Sequence, residues 1–205
     1  MAYTNDTMQI DENCKQNLQE GQLLHQAIAM AAVAHKGQLR KGTQIDYLVH
    51  PMEVLEILSS MHADIHLRIA GILHDTLEDT NVTLKEIRQC FGDDVADLVA
   101  GHTEDKALSW RERKQHHIDQ LERGSKRHRM LVLADSLSNI RSMAQDYEMM
   151  GDALWKRFHA SKEEQAWYYH GMRQAMQGLE TDVDTAYAYQ EMALLCYQVF
   201  GQNKI

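Results

Sequence analysis

A single proline, Pro51, stands in 205 residues, and no Asn-Gly or Asp-Gly pair supplies the tight turns that hairpins need. Runs of β-branched residues are missing too. Apolar residues recur instead at helical spacing, as in Leu24, Ala27, Ile28 and Ala31, or Met52, Leu55 and Leu58. Three stretches carry the hydroxyl and carboxylate of a capping box: Thr83-Leu84-Lys85-Glu86, Ser109-Trp110-Arg111-Glu112 and Ser161-Lys162-Glu163-Glu164. Pro51 suits the first turn of a helix, where its missing N–H is not needed. These signals predict an all-α chain. Helices are expected over roughly 16–36, 51–61, 64–78, 83–91, 93–103, 109–123, 125–147, 151–159, 161–179 and 181–200. The segment 37–49 reads as a polar, glycine-bearing loop, basic at Arg40-Lys41. No repeat or linker divides the chain, so one domain over 1–205 is expected.

Charge and cysteine content narrow the setting. With 30 acidic against 21 basic residues, the net charge of −9 argues against a protein that coats nucleic acid. A small anionic ligand remains compatible, since a local basic cluster can hold phosphate. Cys14, Cys90 and Cys196 fit no paired spacing, and the polar N-terminus has no targeting pattern. No apolar run approaches the ~20 residues of a membrane span. A cytoplasmic protein with no membrane partner is the expectation.

Chemistry concentrates in three places. In Ile72-Leu73-His74-Asp75-Thr76-Leu77-Glu78-Asp79, an apolar helix runs into four ionisable residues. Burying such groups is costly unless something pairs or ligates them. On one continuous helix, His74 would share a face with Glu78, and Asp75 with Asp79. His50, in Tyr47-Leu48-Val49-His50-Pro51, stands at a helix entrance. Asp135 interrupts the apolar run Met130-Leu131-Val132-Leu133-Ala134, with Asn139 and then Ser142 following on its helix. Each stretch taken alone also fits a structural role: a solvated helix end, a His-Pro entrance, a buried carboxylate bonded to neighbours.

Together they form an ordered pattern, His, then His-Asp, then a later Asp, that resembles the HD domain. The context is wider than four letters. Ala34-His35-Lys36-Gly37-Gln38-Leu39-Arg40-Lys41 followed by Tyr47-Leu48-Val49-His50-Pro51 resembles the entry segment of RelA/SpoT-type hydrolase domains. Leu73-His74-Asp75-Thr76-Leu77-Glu78-Asp79-Thr80 resembles their central signature. Thr103-Glu104-Asp105-Lys106 and Leu133-Ala134-Asp135-Ser136-Leu137-Ser138-Asn139-Ile140-Arg141 resemble two later blocks, in the right order. The shared core covers about residues 20–145, with 146–205 as a helical extension.

The resemblance implies an HD bundle of about eight to ten helices. It implies metal ligation by His50, His74, Asp75 and Asp135, with Mn²⁺ as the family's metal. The donor set alone suits several divalent ions and does not separate manganese from iron or zinc. By the same resemblance Glu78 and Asp79 are the catalytic pair that places and activates water. Arg40 and Lys41 contact the substrate, Asn139 and Ser142 face the nucleotide, and Lys106 is a further candidate. The implied reaction is that of the small alarmone hydrolases: the 3′-pyrophosphate of ppGpp or pppGpp is removed, leaving GDP or GTP. Synthetase motifs are absent, so hydrolysis without synthesis is expected.

Two positions depart from the family's pattern. Ser136 stands where Lys or Arg is common, which would remove a positive charge near the phosphates. Asp46 stands where proline is usual, which would put an acidic group in the basic loop. The aromatic residues of the extension, among them Trp155, Phe158, Trp167, Tyr168 and Tyr169, are expected to pack, with shaping of the pocket as the other possibility. An HD phosphohydrolase acting on another nucleotide phosphate, or a silent nucleotide-binding module, are the competing readings.

Overall fold

The computed structural model describes residues 12–103 and 107–201, and within them the chain is helical. The α-helices are α1 (Glu12–Ala34), α2 (Val49–Ser60), α3 (Ile65–Leu73), α4 (Thr76–Asp79), α5 (Leu84–His102), α6 (Trp110–Arg123), α7 (Lys126–Met150), α8 (Lys162–Ala175) and α9 (Ala186–Phe200). Short 3₁₀ helices occupy Gly151–Arg157 and Gln177–Leu179. No helix in this set is long and apolar enough to cross a membrane. The Glu104-Asp105-Lys106 stretch lies outside the described residues.

All three expected capping boxes form, at Thr83/Glu86, Ser109/Glu112 and Ser161/Glu164. Asp64 and Ser125 cap α3 and α7 in the simpler way, accepting from Leu67 and His128 backbone N–H groups. Each such cap is worth about 1 kcal/mol. The expected break between residues 91 and 93 is present as a kink inside α5, where Gly92 adopts φ 86°. That left-handed backbone favours a residue without a Cβ.

The packing is organised around α3 and α7. Helix α7 lies against α2, α3, α5 and α9, while α3 also meets α1, α2 and α5. One continuous apolar cluster runs from Ala27 on α1 to Phe200 on α9, with Leu67, Ile69, Ile72, Leu73, Leu131, Leu133, Leu137 and Ile140 at its centre. Gly71 lets α2 and α3 approach, since a Cβ there would meet Leu58 Cδ1 at 2.4 Å.

The expected helix over 64–78 is not continuous. It ends at Leu73, turns through His74-Asp75 and resumes as the single turn α4. Side chains take the carbonyls that a continuing helix would use. His74 Nδ1 donates to the Gly71 carbonyl at 2.8 Å, and the Thr76 hydroxyl donates to Leu73 at 2.7 Å. Local side-chain bonds of this kind compete with the helical ladder. The expected helix over 151–159 is the tighter 3₁₀ form, and the last helix begins at Ala186 rather than near 181.

Candidate active site

The break between α3 and α4, the entrance of α2 and the middle of α7 converge on one point. His50 and His74 are 2% and 1% exposed. His50 Nε2 lies 3.6 Å from Asp75 Oδ2 and 3.2 Å from Asp135 Oδ1. His74 Nε2 lies 2.9 Å from Asp75 Oδ2 and 3.7 Å from Asp135 Oδ1. The four residues taken from the sequence as metal ligands are thus brought together.

Hydrogen bonds fix which ring nitrogen faces the carboxylates. The Gly71 carbonyl can only accept, so His74 Nδ1 carries the proton and Nε2 presents its lone pair, with no hydrogen-bond partner. On the other side, Ser138 donates to Glu53 at 2.8 Å, so its oxygen accepts from His50 Nδ1, also at 2.8 Å. Glu53 is in turn bound by Arg141, which also pairs with Glu191 of α9. Two buried lone pairs therefore face two carboxylates, which is repulsive unless a proton or a cation lies between them. The donor set and this orphaned nitrogen fit a divalent cation, and an anchored second nitrogen is the support that metal-binding imidazoles normally have.

The electrostatics of the cluster tell the same story. Burial opposes charge on His74, but Asp75 and Asp135 overcome it and hold the imidazole well above its ordinary value. Burial lowers His50 despite the neighbouring Asp135 and Asp75 carboxylates, which act the other way. Both carboxyls stay below the ordinary range against the effect of burial. The neighbouring His74 is the main cause for Asp75, and the His102, His50 and His74 imidazoles around Asp135 act in the same direction. The Tyr47 hydroxyl donates to Asp75 Oδ2, and burial beside that carboxylate raises the tyrosine far above its usual value.

The cluster forms one wall of a cleft of about 400 Å³, within the range of small-molecule sites. Glu78 lines it, whereas Asp79, one residue on, is exposed and is not part of the lining. Arg40, Lys41, Asn139 and Ser142 all line it. Asn139 donates to Asp135 Oδ1 at 2.7 Å and accepts from Arg40 Nη2 at 3.2 Å, joining the basic loop to a carboxylate of the cluster. The loop itself is pinned by an isolated bridge between Leu39 and Asp46. His35 is buried, bonded to Gln38 and stacked 4.7 Å from Tyr47.

The two departures noted in the sequence fall elsewhere than expected. Asp46 is not in the cleft lining; its carboxylate accepts from the Leu48 N–H at 2.9 Å, at the entrance of α2. Ser136 is buried against Met172 of α8 and does not line the cleft. Positive charge comes from a place the sequence did not single out: Arg113 and Lys114 of α6 also line the cleft. Tyr168 and Tyr169 do both things considered for the extension, being buried and lining the cleft, while Trp155 packs between Tyr147 and Phe200. His102 and His117 were also missed, and both are buried in the same wall.

A buried pair of histidines and a pair of aspartates, drawn in this order from the entrance of α2, the break after α3 and the middle of α7, define the HD domain, and the chain belongs to that family: the HD-domain model matches residues 27–164. Among its relatives is the guanosine-3′,5′-bis(diphosphate) 3′-pyrophosphohydrolase MESH1 of Xenopus tropicalis, 39% identical over 124 residues, covering 59% of this chain and 69% of that one. A solved structure from Listeria monocytogenes superposes with a TM-score of 0.69 at 38% identity, over 75% of this chain and 99% of that one. The structure of a metazoan ortholog of SpoT that hydrolyzes ppGpp superposes with a TM-score of 0.71 at 25% identity, over 88% of this chain and 97% of that one.

Proposed function

We propose that this protein hydrolyses ppGpp or pppGpp at the 3′-pyrophosphate, giving GDP or GTP and pyrophosphate. The observation that carries the reading is the buried cluster of His50, His74, Asp75 and Asp135 opening on a cleft rimmed by Arg40, Lys41, Arg113 and Lys114. MESH1 and the SpoT ortholog, which share the fold, support the choice of substrate.

In this reading the four clustered residues hold one divalent ion, taken as Mn²⁺ from the family resemblance. A cation bound there would act as a Lewis acid toward a phosphoryl oxygen and acidify a neighbouring water. The chain's own residues do the rest. Glu78 accepts the proton of the water whose oxygen attacks the phosphorus joined to the ribose 3′ oxygen. The bond between that phosphorus and the 3′ oxygen breaks, and the 3′ oxygen leaves as a hydroxyl after protonation. Arg40 grips phosphate oxygens with paired donors and Lys41 adds a point charge. Asn139 keeps Arg40 and Asp135 in register, and Ser142 faces the nucleotide. Asp79, the other half of the expected catalytic pair, stands next to Glu78 but outside the lining. The continuous core from Ala27 to Phe200 supports treating the chain as one domain.

The test is incubation of metal-reconstituted protein with ppGpp and Mn²⁺, following products by ion-exchange chromatography. GDP and pyrophosphate should appear, and Asp75→Ala should abolish both metal retention and turnover. No turnover by protein shown to hold metal would overturn the substrate assignment and redirect the search to another nucleotide phosphate.

A further inference from the structure

The basic loop that carries Arg40 and Lys41 closes on itself. The Arg40 N–H donates to the Ile45 carbonyl at 2.9 Å, and the Thr43 N–H and hydroxyl both donate to the Arg40 carbonyl, at 3.0 and 2.9 Å. Residues 40–43 thus form a tight turn, with Gly42 in its third position at φ 74°, where a left-handed backbone favours glycine. The turn fixes the two basic residues relative to each other. What holds them over the cleft comes from outside the loop.

Arg157, the last residue of the 3₁₀ helix that follows α7, lies against this turn. A Cβ on Gly42 would meet Arg157 Cδ at 2.7 Å and Nε at 3.0 Å, so the backbone of the turn rests on the arginine's stem and guanidinium. Arg157 is itself gripped by the end of α7. Its Nη1 donates to Asp146 Oδ2 at 2.8 Å, and its Nη2 bonds Met150 Sδ. The two side chains of the ion pair are only 25% and 18% exposed. The next residue, Phe158, lines the cleft and takes the Lys41 ammonium 5.5 Å from its ring centre, within cation–π range. Residues 157 and 158 therefore meet the same turn at neighbouring points. Asp146 also lines the cleft, and its pairing with Arg157 offsets a charge that would repel phosphate.

We propose that Arg157 and Phe158 are positioning residues for substrate binding, which seat the turn over 40–43 so that Arg40 and Lys41 reach the phosphate groups of a nucleotide in the cleft. The inference rests on the proposed reading of the cleft as a site for a nucleotide polyphosphate, and gives the segment after α7 a part in setting its affinity. Contacts made equally in the ground and transition states show in KM and leave kcat alone, so disturbing the seat changes KM.

Steady-state kinetics of the Mn²⁺-loaded full chain with ppGpp, beside limited trypsin digestion of the same proteins without nucleotide, test the proposal. Arg157→Gln should raise KM about 10-fold, the scale of one charge-assisted hydrogen bond, with kcat and Mn²⁺ content unchanged. Trypsin should cut after Arg40 or Lys41 faster in this variant, as read by mass spectrometry. Arg157→Lys keeps a stem under Gly42 and should recover most of the affinity. Phe158→Leu removes only the ring facing Lys41 and should raise KM by less. Adding Asp146→Asn to Arg157→Gln removes the uncovered carboxylate, and KM should stay raised. A return of that double variant to the wild-type KM would mean that Arg157 only masks a charge, and would overturn the seat. Unchanged KM and unchanged cleavage in Arg157→Gln would overturn it too. No turnover by wild-type protein holding Mn²⁺ would overturn the substrate reading instead. The trypsin rates then decide the seat alone: equal rates refute it, and faster cleavage in Arg157→Gln upholds it.

Discussion

Ser138→Ala removes the hydrogen bond that anchors His50, together with the one Ser138 donates to Glu53. Ser138 is fully buried and accepts from His50 Nδ1 at 2.8 Å. Removing its oxygen leaves that N–H unpaired in a site closed to water, a loss of about 1–3 kcal/mol. His50 has an escape. Its proton can move to Nε2, where Asp135 Oδ1 at 3.2 Å and Asp75 Oδ2 at 3.6 Å both accept it. That tautomer occupies the lone pair a cation needs, so metal binding must first reverse it. Losing an anchor of this kind typically weakens metal affinity 10–100-fold, or about 1.4–2.7 kcal/mol. Competition with a fluorescent chelator for Mn²⁺ reads the change directly, and circular dichroism checks that the helices persist. An Ser138→Ala protein that folds and binds Mn²⁺ as tightly as the wild type would refute the idea that Nδ1 sets the tautomer.

Other expectations follow from the same geometry. Glu78→Ala should retain metal while lowering the rate about 100-fold or more. Asp79→Ala, outside the cleft lining, should cost less, and equal losses would place Asp79 back at the reacting centre. Gly71→Ala forces a Cβ into Leu58, so thermal unfolding should show a loss of about 1–3 kcal/mol; an unchanged melting temperature would mean that α2 and α3 can separate freely. Asp94 is held at about 2, chiefly by its hydrogen bond from Arg127, below the ordinary 3.8. Its contribution to stability is present above 3.8 and is lost as pH falls through about 2. The gap in melting temperature between wild type and Asp94→Asn should therefore shrink over that interval, and a constant gap would count against the Asp94–Arg127 bond.

What could be read from the sequence divides along physical lines. Capping boxes and the Gly92 break are local, so Thr83, Ser109, Ser161 and Gly92 announced them without knowledge of the fold. The four clustered ligands were legible because ionisable residues inside apolar runs demand an explanation. The break at His74-Asp75 was not, because it depends on side chains capturing carbonyls within a run that reads as one helix. Arg113 and Lys114 sit in the charge-rich helix Trp110–Arg123, whose pattern reads as solvated until α8 packs on it. His102 and His117 are single histidines on separate helices, joined only by packing. Asp46 and Ser136 were expected to alter the charge beside the phosphates, but each side chain is directed to a task outside the cleft.

The chain of contacts Glu191–Arg141–Glu53–Ser138–His50 begins on α9, beyond the matched span of 27–164. An engineer who trimmed the protein to that span would keep every proposed ligand and still remove the strut behind one of them. Arg141 would lose its bidentate grip on α9 and Glu53 would be left as its remaining carboxylate partner along this route. The last helix thus works as a tuning peg: substitutions at Glu191, far from any chemistry, offer a handle on how firmly His50 is held.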